Sequence, residues 1–475
     1  LADSSLSTKE RERTKNMFFL GLCAWLFNKD INKLEEFIRK RFASKTDVLE
    51  ANLKVLRAGY SYGETTELVS SRFHIKKAPL PPGTYRFING NEALALGLLM
   101  VNEKTGIKLL YASYPITPAS DILHFFAQNF RYEGLEIVQA EDEIAAICCA
   151  IGASYAGGLG ITGTSGPGFS LKSEALGLAV MLELPLVVID IQRAGPSTGM
   201  PTKPEQADLL QAMFGRHGEA PVAVLAVSAP INAYHMAYMA AKIAIEHMTP
   251  VVLLSDAYIA NSVEEVAIDN LTDLPPINPP YVTANANGSV INYLPYERDE
   301  KYVRKWALPG NKEFIHQIGG LEKEDKTGRV SYDPENHQKM VLLRQAKIDK
   351  IADYLPPQTI DIGDENDEYL IVTWGSAWGA AREATLILRE EGHRVALLNI
   401  HYINPFPKNL ESILNKFERI IIPENNMGQL AFLLKAKFNI RPYQILKIKG
   451  IPFTKSDIIN AFIKIKENGE HKVFC

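Results

Sequence analysis

Between Lys108 and Leu254 the sequence alternates two kinds of segment, and this alternation constrains the fold more than any other feature. Lys108–Ala112, Glu136–Gln139, Gly158–Gly163, Leu186–Ile191, Val222–Leu225 and Val251–Leu254 are short and largely apolar. The longer stretches before and between them space apolar residues three and four apart, which predicts helices over 92–103, 119–129, 143–156, 170–182, 204–213 and 230–246. A strand with no polar face must be covered on both sides, and intervening helices supply the cover as crossovers between parallel strands. Residues 84–266 therefore read as an α/β domain built on a parallel sheet. The pattern stops at 267, where Leu274-Pro-Pro-Ile-Asn-Pro-Pro280 opens an irregular connecting arm to residue 360, too long for an ordinary loop. It returns over 361–475, with strands at Tyr369–Thr373, Val395–Asn399 and Arg419–Ile422 and a helix at Ala380–Glu391. Residues 1–78 read as helices (Met17–Leu26, Ile31–Phe42, Asp47–Leu56), followed by the stiff linker Ala78-Pro-Leu-Pro-Pro-Gly83.

Composition removes several classes of function. A net charge of −4 over 475 residues gives no basic surface for nucleic acid or an anionic membrane. Met17–Phe27 is too short to span a bilayer, and no signal-peptide pattern precedes it. The chain starts at Leu1 in a polar stretch, so it reads as the remainder of a longer product. Its four cysteines, Cys23, Cys148, Cys149 and Cys475, form no Cys-x-x-Cys pair and offer no zinc or iron–sulfur framework. Cys148 and Cys149 lie in an apolar small-residue run and read as buried thiols. A reducing cytoplasm suits such a chain.

Four constellations fall at the carboxyl ends of predicted strands, where open parallel sheets bind ligands. Tyr114-Pro-Ile-Thr-Pro118 is either a rigid turn, with Ser120 capping the next helix, or a stiff loop presenting Thr117. Glu141-Asp-Glu143 precedes a small-sided helix containing Ala145, Ala146, Ala150, Gly152 and Ala153. Its acids either complement the helix dipole or include one buried, protonable carboxyl. Gly160-Ile-Thr-Gly-Thr-Ser-Gly-Pro-Gly168 is a tight crossing or an anion-approaching turn. It lacks the lysine of a P-loop and the spacing of a dinucleotide fingerprint. In Gln192-Arg-Ala-Gly-Pro-Ser-Thr-Gly199, Arg193 is a lone guanidinium leaving an apolar strand, and its fork suits a carboxylate. Glu424-Asn-Asn-Met-Gly-Gln-Leu430 reads as a ligand or partner loop, or as a polar turn. No histidine has metal-ligand spacing.

In this order, these motifs resemble the alpha subunit of 2-oxoacid:ferredoxin oxidoreductases, especially the 2-oxoglutarate type. Asn89-Gly-Asn-Glu-Ala93, Ile318-Gly-Gly-Leu-Glu322 and Ser331-Tyr-Asp-Pro-Glu-Asn-His337 extend the resemblance over essentially the whole chain. Residues 1–75 look like the end of a gamma domain fused ahead of alpha. The resemblance implies a thiamine-diphosphate-binding fold of the pyrimidine type, a transketolase C-terminal-like α/β domain and a helical N-terminal segment. The implied reaction is oxidative decarboxylation of 2-oxoglutarate with coenzyme A, giving succinyl-CoA, carbon dioxide and reduced ferredoxin.

The resemblance also distributes roles. Glu143, ten residues before Ala153, matches the glutamate that hydrogen-bonds the aminopyrimidine of thiamine diphosphate, with Glu141 as the second candidate. Pro115 and Ile116 match cofactor-lining positions. Thr117 and Arg193 match positions that hold the substrate. The Gly-Asp-Gly that binds Mg²⁺ and diphosphate in thiamine enzymes is absent, and Gly363-Asp-Glu365 lacks its second glycine. The implied partner is a beta subunit bringing Mg²⁺, diphosphate contacts and an iron–sulfur cluster, in an (alpha-beta)2 heterotetramer that passes electrons to ferredoxin. Three alternatives stay open: the same chemistry on pyruvate or a branched-chain 2-oxoacid, a non-catalytic interaction subunit, and a nucleotide binder using the loop at 160–168.

Overall fold

A computed structural model describes residues 6–66, 71–268, 272–282 and 293–475. The chain divides at Gly83/Thr84 into two compact units.

The first unit is helical: Thr8–Arg13, Lys15–Leu26, Ile31–Arg41 and Thr46–Thr66. Ser7 and Glu10 close a capping box on the first helix, and Asp30 caps the third by accepting from Asn32 N. The last helix runs ten residues past the expected Leu56. Gly59 and Gly63 lie in that extension, and there they are packing contacts rather than breakers. Gly59 faces the Phe18 carbonyl and Gly21 faces the Leu56 carbonyl, each too close to admit a Cβ. Ile38, Leu53 and Leu56 form the small core.

In the second unit, the expected strands assemble into a seven-stranded sheet. Its order is Tyr402–Asn404, Ala223–Ala226, Pro250–Asp256, Leu186–Gln192, Leu159–Thr164, Leu109–Ser113 and Leu135–Gln139. All neighbours are parallel except Tyr402–Asn404, which the later part of the chain adds antiparallel to Ala223–Ala226. Every residue of Leu159–Thr164 and Leu186–Gln192 is buried, as strands covered on both faces require. The connections after Leu109–Ser113 and Leu159–Thr164 leave in opposite directions, so the carboxyl ends of these adjacent strands form the topological switch point. A second sheet is wholly parallel: Val395–Asn399, Tyr369–Thr373, Arg419–Glu424, Tyr443–Leu446 and Lys472–Phe474. Tyr85–Asn89 and Val263–Ala267 pair antiparallel, apart from both sheets.

Three expectations need correction. The helix over 170–182 is broken at Lys172 into Gly166–Leu171 and Ser173–Leu182. The helix over 204–213 shrinks to Leu209–Phe214. The supposedly irregular arm 267–360 contains an 18-residue helix, Pro334–Ile351. Asp333 caps it, accepting from Asn336 N at 2.9 Å, and Pro334 starts it, the arrangement that favours helix initiation.

This helix and the rest of the arm clamp onto the end of helix Ser173–Leu182 through buried charge. The Glu183 side chain accepts from both Arg298 and Lys347, and all three side chains are at most 5% exposed. Arg304 Nε donates to the Glu183 carbonyl at 3.0 Å, and Lys323 Nζ to the Met181 carbonyl at 3.1 Å. Gln206 joins the two sheets' surroundings. Its Nε2 donates to the Trp374 carbonyl at 2.8 Å, and its Oε1 accepts from Asn425 N at 3.0 Å. The Glu424–Leu430 stretch is therefore a structural joint. Glu424 itself is fully buried, accepting from Leu430 N, Ala431 N and Trp374 Nε1.

Candidate active site

The switch point brings together residues that lie far apart in sequence. Tyr114–Pro118 leaves the strand Leu109–Ser113 with Pro115 and Thr117 exposed and Ile116 half-buried against the core. Ser120 does not cap the following helix. Its hydroxyl instead closes the loop, accepting from Ile116 N at 2.9 Å and lying 3.1 Å from the Ile116 carbonyl. Asn91 Nδ2 donates to the Pro118 carbonyl at 3.0 Å, and Thr117–Pro118 is a cis peptide. The loop is tied at both ends, so Thr117 is held in place.

Arg193, at the end of the buried strand Leu186–Gln192 two places away in the sheet, turns onto this loop. Its Nη1 donates to the Thr117 carbonyl at 2.6 Å, while its Nε has no partner. Among the described residues no carboxylate forms an ion pair with Arg193, although Asp208 is close enough to feel its charge. A nearly buried guanidinium with unused donor capacity is ready for a bound anion.

Across the switch point stands the helix Glu143–Tyr155. Asp142 is its cap, accepting from Ala145 N at 2.7 Å. The dipole and capping role therefore falls to Asp142, and Glu143 is not needed for it. The half-buried Glu143 packs against Gly168, where an added Cβ would also meet the hydroxyls of Tyr114 and Thr164. Tyr114 Oη and Thr164 Oγ1 lie 2.8 Å apart. Burial pushes the Tyr114 phenol far above its ordinary value; Thr164 opposes the shift and Glu143 adds to it. Lys172 is fully buried, donating to the Glu143 carbonyl at 2.8 Å and to Thr162 Oγ1 at 3.2 Å. Burial pushes its ammonium down to about 8, against the pull of Glu143 and Asp142. Glu141 is exposed and makes none of these contacts.

One face of the Glu143 helix is bare. Ile144, Ala145, Cys148, Cys149 and Gly152 are exposed, and a Cβ on Gly152 would meet nothing. The expectation that Cys148 and Cys149 are buried is thus wrong for this chain. An apolar run shows that a helix is covered somewhere, but not by what.

Sequence reasoning selected Thr117, Glu143, Arg193, Pro115 and Ile116, and the fold gathers all five at one sheet end. It missed Lys172, Asp190 and Asp208. The signal was present for two of them: Lys172 is a lone cation in an otherwise largely apolar stretch, and Asp190 interrupts the apolar strand Leu186–Gln192. Asp208 carried no such mark.

Comparison with known proteins places this chain in a family. Residues 105–333 match the family described as pyruvate flavodoxin/ferredoxin oxidoreductase, thiamine diphosphate-binding. Residues 367–451 match pyruvate:ferredoxin oxidoreductase core domain II, and residues 2–62 match pyruvate ferredoxin/flavodoxin oxidoreductase. The chain is 47% identical over 96% of its length to the 2-oxoglutarate oxidoreductase subunit KorA of Mycobacterium tuberculosis, covering 69% of that protein. It is 34% identical over 97% of its length to the alpha subunit of 2-oxoacid:ferredoxin oxidoreductase 2 of Aeropyrum pernix, covering 73% of it. The chain belongs to the 2-oxoacid:ferredoxin oxidoreductase family. A solved family structure, the 2-oxoglutarate:ferredoxin oxidoreductase of Magnetococcus marinus, superposes with a TM-score of 0.86 at 34% identity. That match covers 96% of this chain and 78% of the other.

The residues present fit one half of thiamine diphosphate. A carboxyl freed from capping, an apolar loop residue at Ile116 and a small-sided helix suit a flat pyrimidine ring. Among the described residues nothing comparable suits the diphosphate. No Gly-Asp-Gly occurs in these 475 residues, and among the described residues no group of three histidine, cysteine or acidic side chains could hold a metal.

Proposed function

We propose that this chain is the alpha subunit of a thiamine-diphosphate-dependent enzyme that oxidatively decarboxylates 2-oxoglutarate with coenzyme A and ferredoxin. The observation that carries the reading is the meeting of Arg193, Thr117 and Glu143 at one end of the sheet, with no ion pair to Arg193 among the described residues. The 2-oxoglutarate, coenzyme A and succinyl-CoA bound by the Magnetococcus marinus enzyme, and the KorA relatives, support the choice of substrate. A beta subunit supplies what this chain lacks: Mg²⁺, diphosphate contacts and an iron–sulfur cluster, in an (alpha-beta)2 assembly. The exposed face of the Glu143 helix is consistent with a site completed by another chain. The connecting arm over 267–360 and the domains on either side, 84–266 and 361–475, are the parts we assign to this subunit, after a gamma-type segment over 1–78. No helix among the described residues is long and apolar enough to cross a membrane, and the four cysteines are unpaired. We assign the enzyme to the cytoplasm.

Bound thiamine diphosphate supplies the electron sink for cleaving the bond to the substrate carboxylate. The Glu143 carboxyl, its side chain held by Tyr114 and Gly168, would hold the aminopyrimidine, and Pro115 and Ile116 would line it. Arg193 and Thr117 hold the 2-oxoacid's carboxylate and carbonyl oxygen while charge is lost as carbon dioxide. The test is turnover by the chain with its partner subunit, using ferredoxin or a viologen dye. Reduction with 2-oxoglutarate that depends on coenzyme A supports the reading; turnover of pyruvate alone overturns it.

Two variants probe the halves of the site. Arg193→Ala removes a charge-assisted, two-point contact worth roughly 2–3 kcal/mol, so KM for the 2-oxoacid rises by about 30- to 150-fold and kcat falls. An unchanged KM places the carboxylate elsewhere. Gly168→Ala forces a methyl group onto the Tyr114 and Thr164 hydroxyls and against Glu143. Overpacking of about 1–3 kcal/mol should appear as cofactor affinity weakened roughly 5- to 150-fold, read by titrating activity with thiamine diphosphate.

A further inference from the structure

Behind Arg193 lie two carboxyl groups that the proposed reaction does not use. Asp190 is fully buried near the end of the strand Leu186–Gln192, opposite Thr164 in the sheet register. Asp208 reaches it from the segment before Leu209–Phe214, where its backbone N donates to Gln192 Oε1 at 3.1 Å. The Asp208 carboxyl also lies against Gly166, so closely that a Cβ there would sit 2.9 Å from Oδ2. The two carboxyls face one another, yet neither oxygen of Asp190, nor Oδ2 of Asp208, finds a donor elsewhere among the described residues. The titratable groups around the pair are Tyr114 from the loop after Leu109–Ser113, and Glu205 and Arg193 beside Asp208. Two adjacent buried carboxylates with no ion-paired cation cannot both stay ionised, because desolvation and mutual repulsion both oppose it. One proton between them turns the repulsive contact into a hydrogen bond.

We propose that Asp190 and Asp208 share one proton and act as a positioning pair, holding the wall behind Arg193 at a single negative charge so that an anionic substrate can approach. The electrostatic consequence rests on the reading of Arg193 above; the shared proton does not. Burial pushes both carboxyls above the ordinary aspartate range, and for Asp190 the charge of its partner adds to the shift. A raised folded-state value means stability present at acid pH and lost as pH rises through the pair's own ionisation. Loss of the shared proton adds a second negative charge near Arg193, which weakens anion binding on the order of tenfold.

Infrared difference spectroscopy of the purified full chain tests the proton directly. At neutral pH the wild type should show a carboxylic-acid C=O stretch that shifts in D2O, and Asp190→Asn/Asp208→Asn should lack that band. Absence of the band in the wild type, or its persistence unchanged in the double variant, overturns the proposal. If the double variant fails to fold, Asp208→Asn, on the more open side of the pair, must shift or remove the band, and an unaltered spectrum overturns it. In the assembled enzyme, KM for the 2-oxoacid should climb at alkaline pH in the wild type and stay flat in the Asn variant. Equal climbs, or no climb in the wild type, reject the positioning role. A failed substrate reading would leave the infrared result intact.

Discussion

Glu143→Gln is expected to lower turnover of the assembled enzyme by about 10²- to 10⁴-fold, the range in which a positioned acid–base group contributes. The geometry separates this loss from any loss of structure. Asp142 already accepts the helix-capping hydrogen bond from Ala145 N, so the helix Glu143–Tyr155 starts as well with a glutamine. Lys172 binds the carbonyl of residue 143, which the substitution leaves in place. Glutamine also fills the space against Gly168 that the glutamate fills. The thermal unfolding midpoint should therefore stay close to that of the wild type, while dye or ferredoxin reduction collapses. Asp142→Ala is the contrasting control: loss of a cap costs about 1 kcal/mol of stability, with a smaller effect on rate. A Glu143→Gln enzyme running near the normal rate would remove Glu143 from the chemistry and direct attention to Glu141.

The apolar pattern placed Glu143, Thr117 and Arg193 just past strand ends, but their roles followed only from the resemblance, because the residues alone also allowed a rigid turn at Thr117 and a helix-dipole acid at Glu143. Leu186–Gln192 is buried at every position and apolar through Ile191 except at Asp190, so the residue after it is visibly a strand-end residue. Tyr85–Asn89 and Val263–Ala267 went unseen because both are largely solvated and carry no continuous apolar run. Tyr402–Asn404 is three residues long, and its partner lies nearly two hundred residues earlier, so only tertiary structure selects it. The helix Pro334–Ile351 is a different failure. Its cap and starting proline were present in Asp333-Pro-Glu-Asn336, but only a few of its residues are buried, and sparse apolar spacing hid the period. The Asp190–Asp208 contact spans a loop whose path no local rule sets. A lone acid in an apolar strand signals a satisfied buried group without naming its partner.

Glu183→Ala is expected to destabilise the second unit by about 3–5 kcal/mol, because it leaves two cations buried without their anion. Burial alone would raise the Glu183 carboxyl, but Lys347 and Arg298 outweigh it and hold it down to about 2. Lys347 moves the opposite way to a well-satisfied cation: burial pushes it down to about 8 despite Glu183. The network as a whole is therefore only modestly favourable, while its half-broken form is costly. The acid sign follows from Glu183. Its folded value lies below the ordinary 4.5, so its contribution is present above that value and is lost as pH falls toward about 2. Wild-type stability should fall across that window, and Glu183→Ala should show a flatter acid limb from a lower plateau. The damage should be local first. Arg298, Arg304 and Lys347 are the contacts by which the arm and the helix Pro334–Ile351 grip the end of Ser173–Leu182. Hydrogen exchange in that helix and proteolysis of the arm should accelerate before the central sheet opens. Adding Lys347→Met should recover part of the loss, since it removes one of the stranded charges and keeps an unbranched apolar stem in its place. If the double variant is instead as unstable as the sum of the two single ones, Glu183 and Lys347 are energetically independent, and the grip of the arm comes from packing rather than from buried charge.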